Sequence, residues 1–266
     1  MLHAYCTHAG TNDVHPVSVS HQSSSKGQGE LPPWVDLRDL HSIRGLPNVV
    51  FAADGSGEFS RIMDALELQS ELSGEIFGYQ DNQYSYSQQQ FYTNCKIRGS
   101  MNFIFGHASA AFQYCIILVK KGLSTQNNTI TSQDRTSSSL ASAFSFQFCN
   151  ISADLDLLPF VGSISTYLGR PWKQYSRVGG MQSYMSDVLS LEGWLECNSS
   201  LYLDTLYCVE YNNYGSGARL DRRVKWQGFH VINDFRPAWK FTVFELIMEE
   251  QWLPSTRVPF IPGLRD

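Results

Sequence analysis

From Gly78 onward the chain alternates short apolar or aromatic runs with Gly, Asn, Ser and Asp. The runs are Gln90-Phe91-Tyr92, Asn102-Phe103-Ile104-Phe105, Ala111 to Val119, Thr129-Ile130-Thr131 and Ser145 to Ile151. No helical spacing separates them, so the pattern predicts an all-β fold. Two runs echo each other: Phe112-Gln113-Tyr114-Cys115-Ile116 and Phe146-Gln147-Phe148-Cys149-Asn150-Ile151. A loose repeat of roughly 20–45 residues suits a solenoid, in which successive coils stack parallel strands around one core. On texture alone a β-sandwich is the alternative. Upstream, Pro47 to Ala52 reads as a short strand and Asp54-Gly55-Ser56-Gly57 as a turn. Phe59 to Gln69 has helical spacing, with Phe59, Ile62, Met63 and Leu66 on one face. Near the other end Phe241 to Trp252 also reads as helical, with Pro254 expected to stop it. Residues 1–45, rich in His, Ser, Gly and Pro, read as a flexible extension, which leaves 46–266 as the folded domain.

Composition narrows the function classes. Hydrophobic residues make up 42% of the 266 and charged residues 17%, as in a globular protein. A net charge of −5 and the lack of any Lys/Arg run longer than two argue against a nucleic-acid partner. No stretch reaches the ~18 apolar residues of a membrane span, and Met1 to His8 shows no basic region followed by an apolar run, so no signal peptide is recognisable. Sequons nevertheless occur at Asn127, Asn150 and Asn198, which suits a glycoprotein of secreted ancestry. The six cysteines form no Cys-x-x-Cys pair, so zinc and redox readings are weak.

Three segments carry candidate chemistry: Gly78-Tyr79-Gln80-Asp81, Gly99-Ser100-Met101-Asn102-Phe103-Ile104-Phe105-Gly106, and Leu168-Gly169-Arg170-Pro171-Trp172. In that order they resemble the active-site segments of plant pectin methylesterases. The likeness extends from about Pro47 to Leu264 and includes Met181-Gln182-Ser183, Gly193-Trp194-Leu195, Glu210-Tyr211-Asn212-Asn213, Arg223-Val224-Lys225-Trp226 and Trp252-Leu253-Pro254-Ser255-Thr256. The resemblance implies a right-handed parallel β-helix, shortened at its N-terminal end and flanked by short helices. It also implies pectin (methylated homogalacturonan) as partner, a cell-wall location, and no cofactor or metal. Residues 1–45 resemble, more loosely, the segment that joins an inhibitor-like pro-domain to the catalytic domain in longer members.

Hydrolysis of a methyl ester by this family uses a carboxylate nucleophile, a second carboxyl group as acid and then base, and amide donors for the oxyanion. By resemblance, Asp81 takes the acid/base role, Gln80 the oxyanion role and Arg170 the role of nucleophile partner. Trp172 and Tyr84 correspond to aromatic residues of the substrate cleft, where Arg170 also contributes. Asn102 stands where the family has its nucleophilic Asp. Its amide has no ionised oxygen for attack and cannot neutralise Arg170. Cys115 and Cys149 match positions that are paired as a disulfide in family members.

A second departure lies upstream. Gly78 comes 14 positions after Asp64, where the family has a long stretch that carries a second oxyanion Gln. Loss of coils there would expose a stacking face unless the segment around Ile62–Leu68 caps it, so marginal stability and edge-to-edge association are expected. Three functional readings follow: a pectinesterase-lineage enzyme that is impaired or inactive, a pseudoenzyme that binds pectin without cleaving it, and a poorly folding product of a decaying gene.

Overall fold

The computed structural model describes residues 49–52, 74–197 and 201–265. The Phe59–Gln69 segment and its proposed capping role lie outside these residues, as does the 1–45 extension.

The strands form three parallel sheets, and each full coil contributes one strand to each. Sheet one contains β1 (Val49–Ala52), β2 (Gly74–Phe77), β5 (Lys96–Gly99), β8 (Ile116–Val119), β11 (Asn150–Ala153) and β14 (Tyr184–Met185). Sheet two contains β4 (Gln89–Thr93), β7 (Ser109–Gln113), β10 (Ala143–Gln147), β13 (Arg177–Met181), β15 (Tyr207–Tyr211) and β16 (Phe229–Val231). Sheet three contains β3 (Gln83–Tyr84), β6 (Met101–Gly106), β9 (Asn128–Gln133) and β12 (Thr166–Gly169). This is a right-handed parallel β-helix. The register partners Lys96, Ile116, Asn150 and Tyr184 mark successive coils, 20, 34 and 34 residues apart.

The echoed runs occupy the same place on adjacent coils. Phe112 pairs with Phe146, and their rings stack 4.8 Å apart; Tyr92 stacks on Phe112 from the other side at 4.6 Å. Each long apolar run read from the sequence is in fact two strands. Ala111 to Val119 breaks at Tyr114 and Ser145 to Ile151 breaks at Phe148, both at φ 56°. Asn94, Gln182 and Asn212 take the same left-handed conformation at the equivalent bend of other coils. A residue of positive φ reverses the local curvature within one step, and stacking of aromatic rings along the column offsets the strain of placing Tyr and Phe there.

Immediately after this bend come Cys95, Cys115, Cys149 and Ser183, one above another. The structure carries Cys115 and Cys149 as buried thiols, so the Cys115–Cys149 bond implied by resemblance is not formed here. In-register parallel strands lie about 4.8 Å apart, which puts the two thiols within bonding reach once oxidised.

The interior is an apolar column that includes Ile97, Ile104, Phe112, Ile117, Phe144 and Ile151. Sheet two is covered on its outer side as well. There α1 (Phe235–Trp239) and α2 (Val243–Ile247) bring Phe241, Val243 and Ile247 against Phe91, Ala111 and Val209. The helix expected over Phe241–Trp252 is therefore shorter. Thr242 caps it by accepting from the Glu245 N–H, and Met248 in the left-handed region ends it. Pro254 opens a separate 3-10 turn, Leu253–Thr256, and is not the stop. The final segment is pinned by side-chain amides, with Gln113 exchanging hydrogen bonds with Ile261 and Gln147 donating to the Gly263 carbonyl.

Candidate active site

The three sequence segments converge on the outer face of sheet three. Gln80 bridges Met101 in parallel, so Asp81 and Asn102 occupy equivalent positions on neighbouring coils, at φ 53° and 49°. Asn and Asp tolerate this left-handed conformation better than most residues. At Asn102 the register slips: Met101 faces Thr129 but Ile104 faces Thr131, so two residues of β6 oppose one of β9. The bulge lets Phe103 and Ile104 both enter the core while Asn102 turns toward the cleft.

Asn102 is nearly buried, at 8% exposure, and its Oδ1 accepts two hydrogen bonds, from Arg170 Nε at 2.9 Å and from Thr129 Oγ1 at 2.8 Å. Thr129 Oγ1 also accepts from the Asn102 N–H at 3.0 Å. Thr129 thus locks the side chain in one orientation. Arg170 is delivered by the end of β12, where its N–H donates to the Thr131 carbonyl at 3.0 Å. Gly169 makes that approach possible, since a Cβ there would lie 1.9 Å from Thr131 Oγ1. Among the described residues Arg170 forms no ion pair, in line with a neutral amide at position 102.

A cleft of about 200 Å³ opens over this centre, lined by Asp81, Asn102, Phe105, Ser132, Arg170, Trp172 and Cys197. Asp81 is exposed, and its carboxylate accepts from Gln80 Nε2 at 3.2 Å. Gln80 therefore meets the cleft through Asp81 and does not line it. Trp172, 39% exposed, lies with its ring centroid 6.1 Å from that of Phe105. Phe105 in turn stacks on Tyr84 at 4.6 Å, and Tyr84 meets Tyr86 edge-on at 5.3 Å. The result is a strip of aromatic faces crossing the coils, with exposed Tyr84 and Tyr86 beyond the cleft. Such faces suit the C–H surfaces of sugar rings.

Sequence reasoning missed Phe105, Thr129, Ser132 and Cys197. Phe105 could have been found, because it directly follows the apolar pair Phe103-Ile104 in the Asn102 segment. Thr129 and Cys197 carry no local signal. They reach the site only through coil stacking and a distant loop. At the strip's far end His107 Nδ1 lies 3.4 Å from Asp134 Oδ1, and burial holds the Asp134 carboxyl above its ordinary range despite the nearby His107 and Lys173.

The chain matches known proteins in sequence and in fold. Residues 72–250 match the sequence profile of the pectinesterase family. The chain is 53% identical over 187 residues to probable pectinesterase/pectinesterase inhibitor 32 of Arabidopsis thaliana, covering 70% of this chain and 36% of that protein. It is 45% identical over 234 residues to probable pectinesterase/pectinesterase inhibitor 44 of the same plant, covering 82% of this chain and 45% of that protein. The chain thus spans less than half the length of these curated relatives. Pectin methylesterase from carrot superposes with a TM-score of 0.72 at 29% identity, covering 84% of this chain and 99% of that one. The Aspergillus niger enzyme superposes with a TM-score of 0.53 at 30% identity, over 62% of this chain and 50% of that one. The ordered motifs, the coil architecture and these matches lead to one conclusion: the chain belongs to the pectinesterase family.

Proposed function

We propose that this protein binds methyl-esterified homogalacturonan along the aromatic strip of sheet three, and that its ester hydrolysis is strongly impaired. The observation that carries the reading is the pair of hydrogen bonds to Asn102 Oδ1. Attack on the ester carbonyl needs an ionised oxygen, and the oxygen at this place is an amide oxygen already engaged by Arg170 and Thr129. Asp81 keeps the position of the acid/base group, beside Gln80, and can protonate departing methanol only after a nucleophile has attacked. Groups that act as a unit lose nearly all their effect when one member is absent.

Purified protein incubated with methylated pectin should release methanol at a rate close to background. Robust release that is abolished by Asp81→Ala would overturn the impairment. Asn102→Asp alone should restore little turnover, because the family's second oxyanion Gln has no counterpart in the sequence between Asp64 and Gly78. Family-like turnover in that variant would show that the site needs only its carboxylate.

The exposed Trp172 beside Arg170 favours retained binding over general decay. A cooperative thermal transition of the recombinant protein would argue against a poorly folding product. The same reading places the protein in the cell wall, where an oxidising setting would join Cys115 and Cys149. Thiol counting under denaturing conditions, before and after reduction, checks that pairing.

A further inference from the structure

A second cavity, of about 630 Å³, lies beside the cleft, between the β9–β10 loop and the C-terminal helices. Its size falls in the usual range of ligand pockets. Three cations face it, Arg135, Arg177 and Lys240, against one carboxylate, Glu245. Among the described residues none of the three cations forms an ion pair. Arg135 Nε is buried without a hydrogen-bond partner, while its Nη2 donates to the Ser138 carbonyl at 2.5 Å. Arg177 donates from Nη2 to the Lys240 carbonyl at 3.3 Å and lies over the Phe241 ring, 4.5 Å from its centroid. Burial, and then the charge of Arg135, make the cationic form of Arg177 harder to hold than usual, with only partial relief from Glu245 and Tyr207. Two guanidinium groups that repel each other across a cavity, one with an idle buried donor, are an arrangement that a bound oxyanion relieves.

The cavity is tied to the cleft by two chain segments. Ser132 and Trp172 line the cleft; Arg135 and Tyr175, each three residues further on, line the cavity. Three residues reach at most about 11 Å. The segments are bonded together, Trp172 N–H to the Gln133 carbonyl at 3.2 Å and Tyr175 N–H to the Arg135 carbonyl at 3.1 Å. Tyr175 and Tyr207 add aromatic and hydroxyl surface to the cavity wall.

We infer that this cavity is a second binding site for an acidic saccharide, one whose uronate carboxylate is held by Arg135, Arg177 and Lys240. The identity of the saccharide rests on the pectin reading of the cleft. The aromatic cleft suits neutral, esterified rings, and the cationic cavity suits the de-esterified stretches of the same polymer. One protein would thereby sit at boundaries between methylated and free segments.

The test uses the full chain carrying Trp172→Ala, which weakens the first site, titrated calorimetrically with three probes. These are a fully de-esterified galacturonic acid oligosaccharide, its fully methyl-esterified counterpart, and inorganic phosphate. The de-esterified oligosaccharide should bind, weaken with added salt, and lose about tenfold or more in affinity with either Arg135→Gln or Lys240→Gln. The esterified one should bind this variant only weakly, with the residual binding unchanged by Arg135→Gln or Lys240→Gln. Lys240 is exposed, so its replacement leaves the fold intact even if the Arg135 variant proves unstable. No binding of the de-esterified probe, binding indifferent to both replacements, or binding of phosphate alone overturns the assignment. Failure of the pectin reading itself shows elsewhere, as absence of methylated-pectin binding to the protein with Trp172 intact.

Discussion

Two arginines in this molecule meet opposite fates. Arg223 and its partner Glu210 have side chains only 2% exposed, joined at 2.8 Å and 3.0 Å in a two-pronged contact. Arg223 also donates to the Leu191 and Gly217 carbonyls, and Trp194 donates to Glu210, so the charges are compensated and their hydrogen bonds filled. Among the described residues, the guanidinium of Arg170, half-buried at the cleft, hydrogen-bonds to the neutral oxygen of Asn102 and forms no ion pair. The first pair is architecture: it fixes the coil that carries Trp194 to the strand that carries Glu210. The second is a charge held ready beside a cavity. Removing an ionic partner deep inside a fold is costly because the other charge stays buried, whereas a half-buried cation recovers much of its hydration.

The comparison can be broken most forcefully at Glu210. Glu210→Gln should destabilise the protein by about 3–5 kcal/mol in urea unfolding, while a loss under 1 kcal/mol would mean that Arg223 finds water or another acceptor. At the cleft, Trp172→Ala should leave unfolding nearly unchanged yet weaken methylated-pectin binding about tenfold, or ~1.4 kcal/mol. Equal binding in both proteins would place the polysaccharide elsewhere. Asn102→Asp should convert the second arginine toward the condition of the first and stabilise by about 1 kcal/mol at neutral pH. A carboxylate beside Arg170 titrates below its unfolded value, so the gain should be present above about pH 4 and vanish as pH falls through the depressed value. Thermal melts of both proteins at pH 7 and pH 3 check this.

The smallest effect concerns a third arginine. Asp154 is buried, which by itself would push its carboxyl up. The hydrogen bond from Arg98, the Leu155 N–H and the charges of Arg98 and Lys120 outweigh that and bring it below its ordinary range. Its contribution is complete above the unfolded pKa and lost as pH falls through the lowered folded one. Asp154→Asn should therefore flatten the acid limb of the stability profile below about pH 4. An unchanged limb would assign that sensitivity to other carboxylates.

The unequal legibility of these sites in the sequence has a physical basis. Asp81, Asn102, Arg170 and Trp172 lie in compact motifs that can be read locally, and the structure brings all four to one cleft. Gln80 shares those motifs but turns to Asp81 instead of the cavity. Thr129, which orients Asn102, sits in an unremarkable Thr-Ile-Thr run, and only the register of β6 on β9 makes it a partner. The cationic cavity was invisible for the same reason: Arg135, Arg177 and Lys240 are scattered singly along the chain, and coil stacking together with the C-terminal helices gathers them.

The sequence by itself determined the all-β repeat and the stacking of the two echoed runs, and its ordered motifs carried the family resemblance, with Asn102 at the place of an Asp. The repeat follows from local composition, because each coil repeats the same demands for apolar positions and bends, whereas the family was carried by the resemblance of the motifs. Tertiary structure decided where each run bends, since the left-handed residues at Tyr114 and Phe148 depend on the column of neighbours that stacks with them. It decided too that the C-terminal helix stops at Met248 and wraps sheet two. And it decided which charges find partners, because pairing is set by distances between coils that no local stretch of chain encodes.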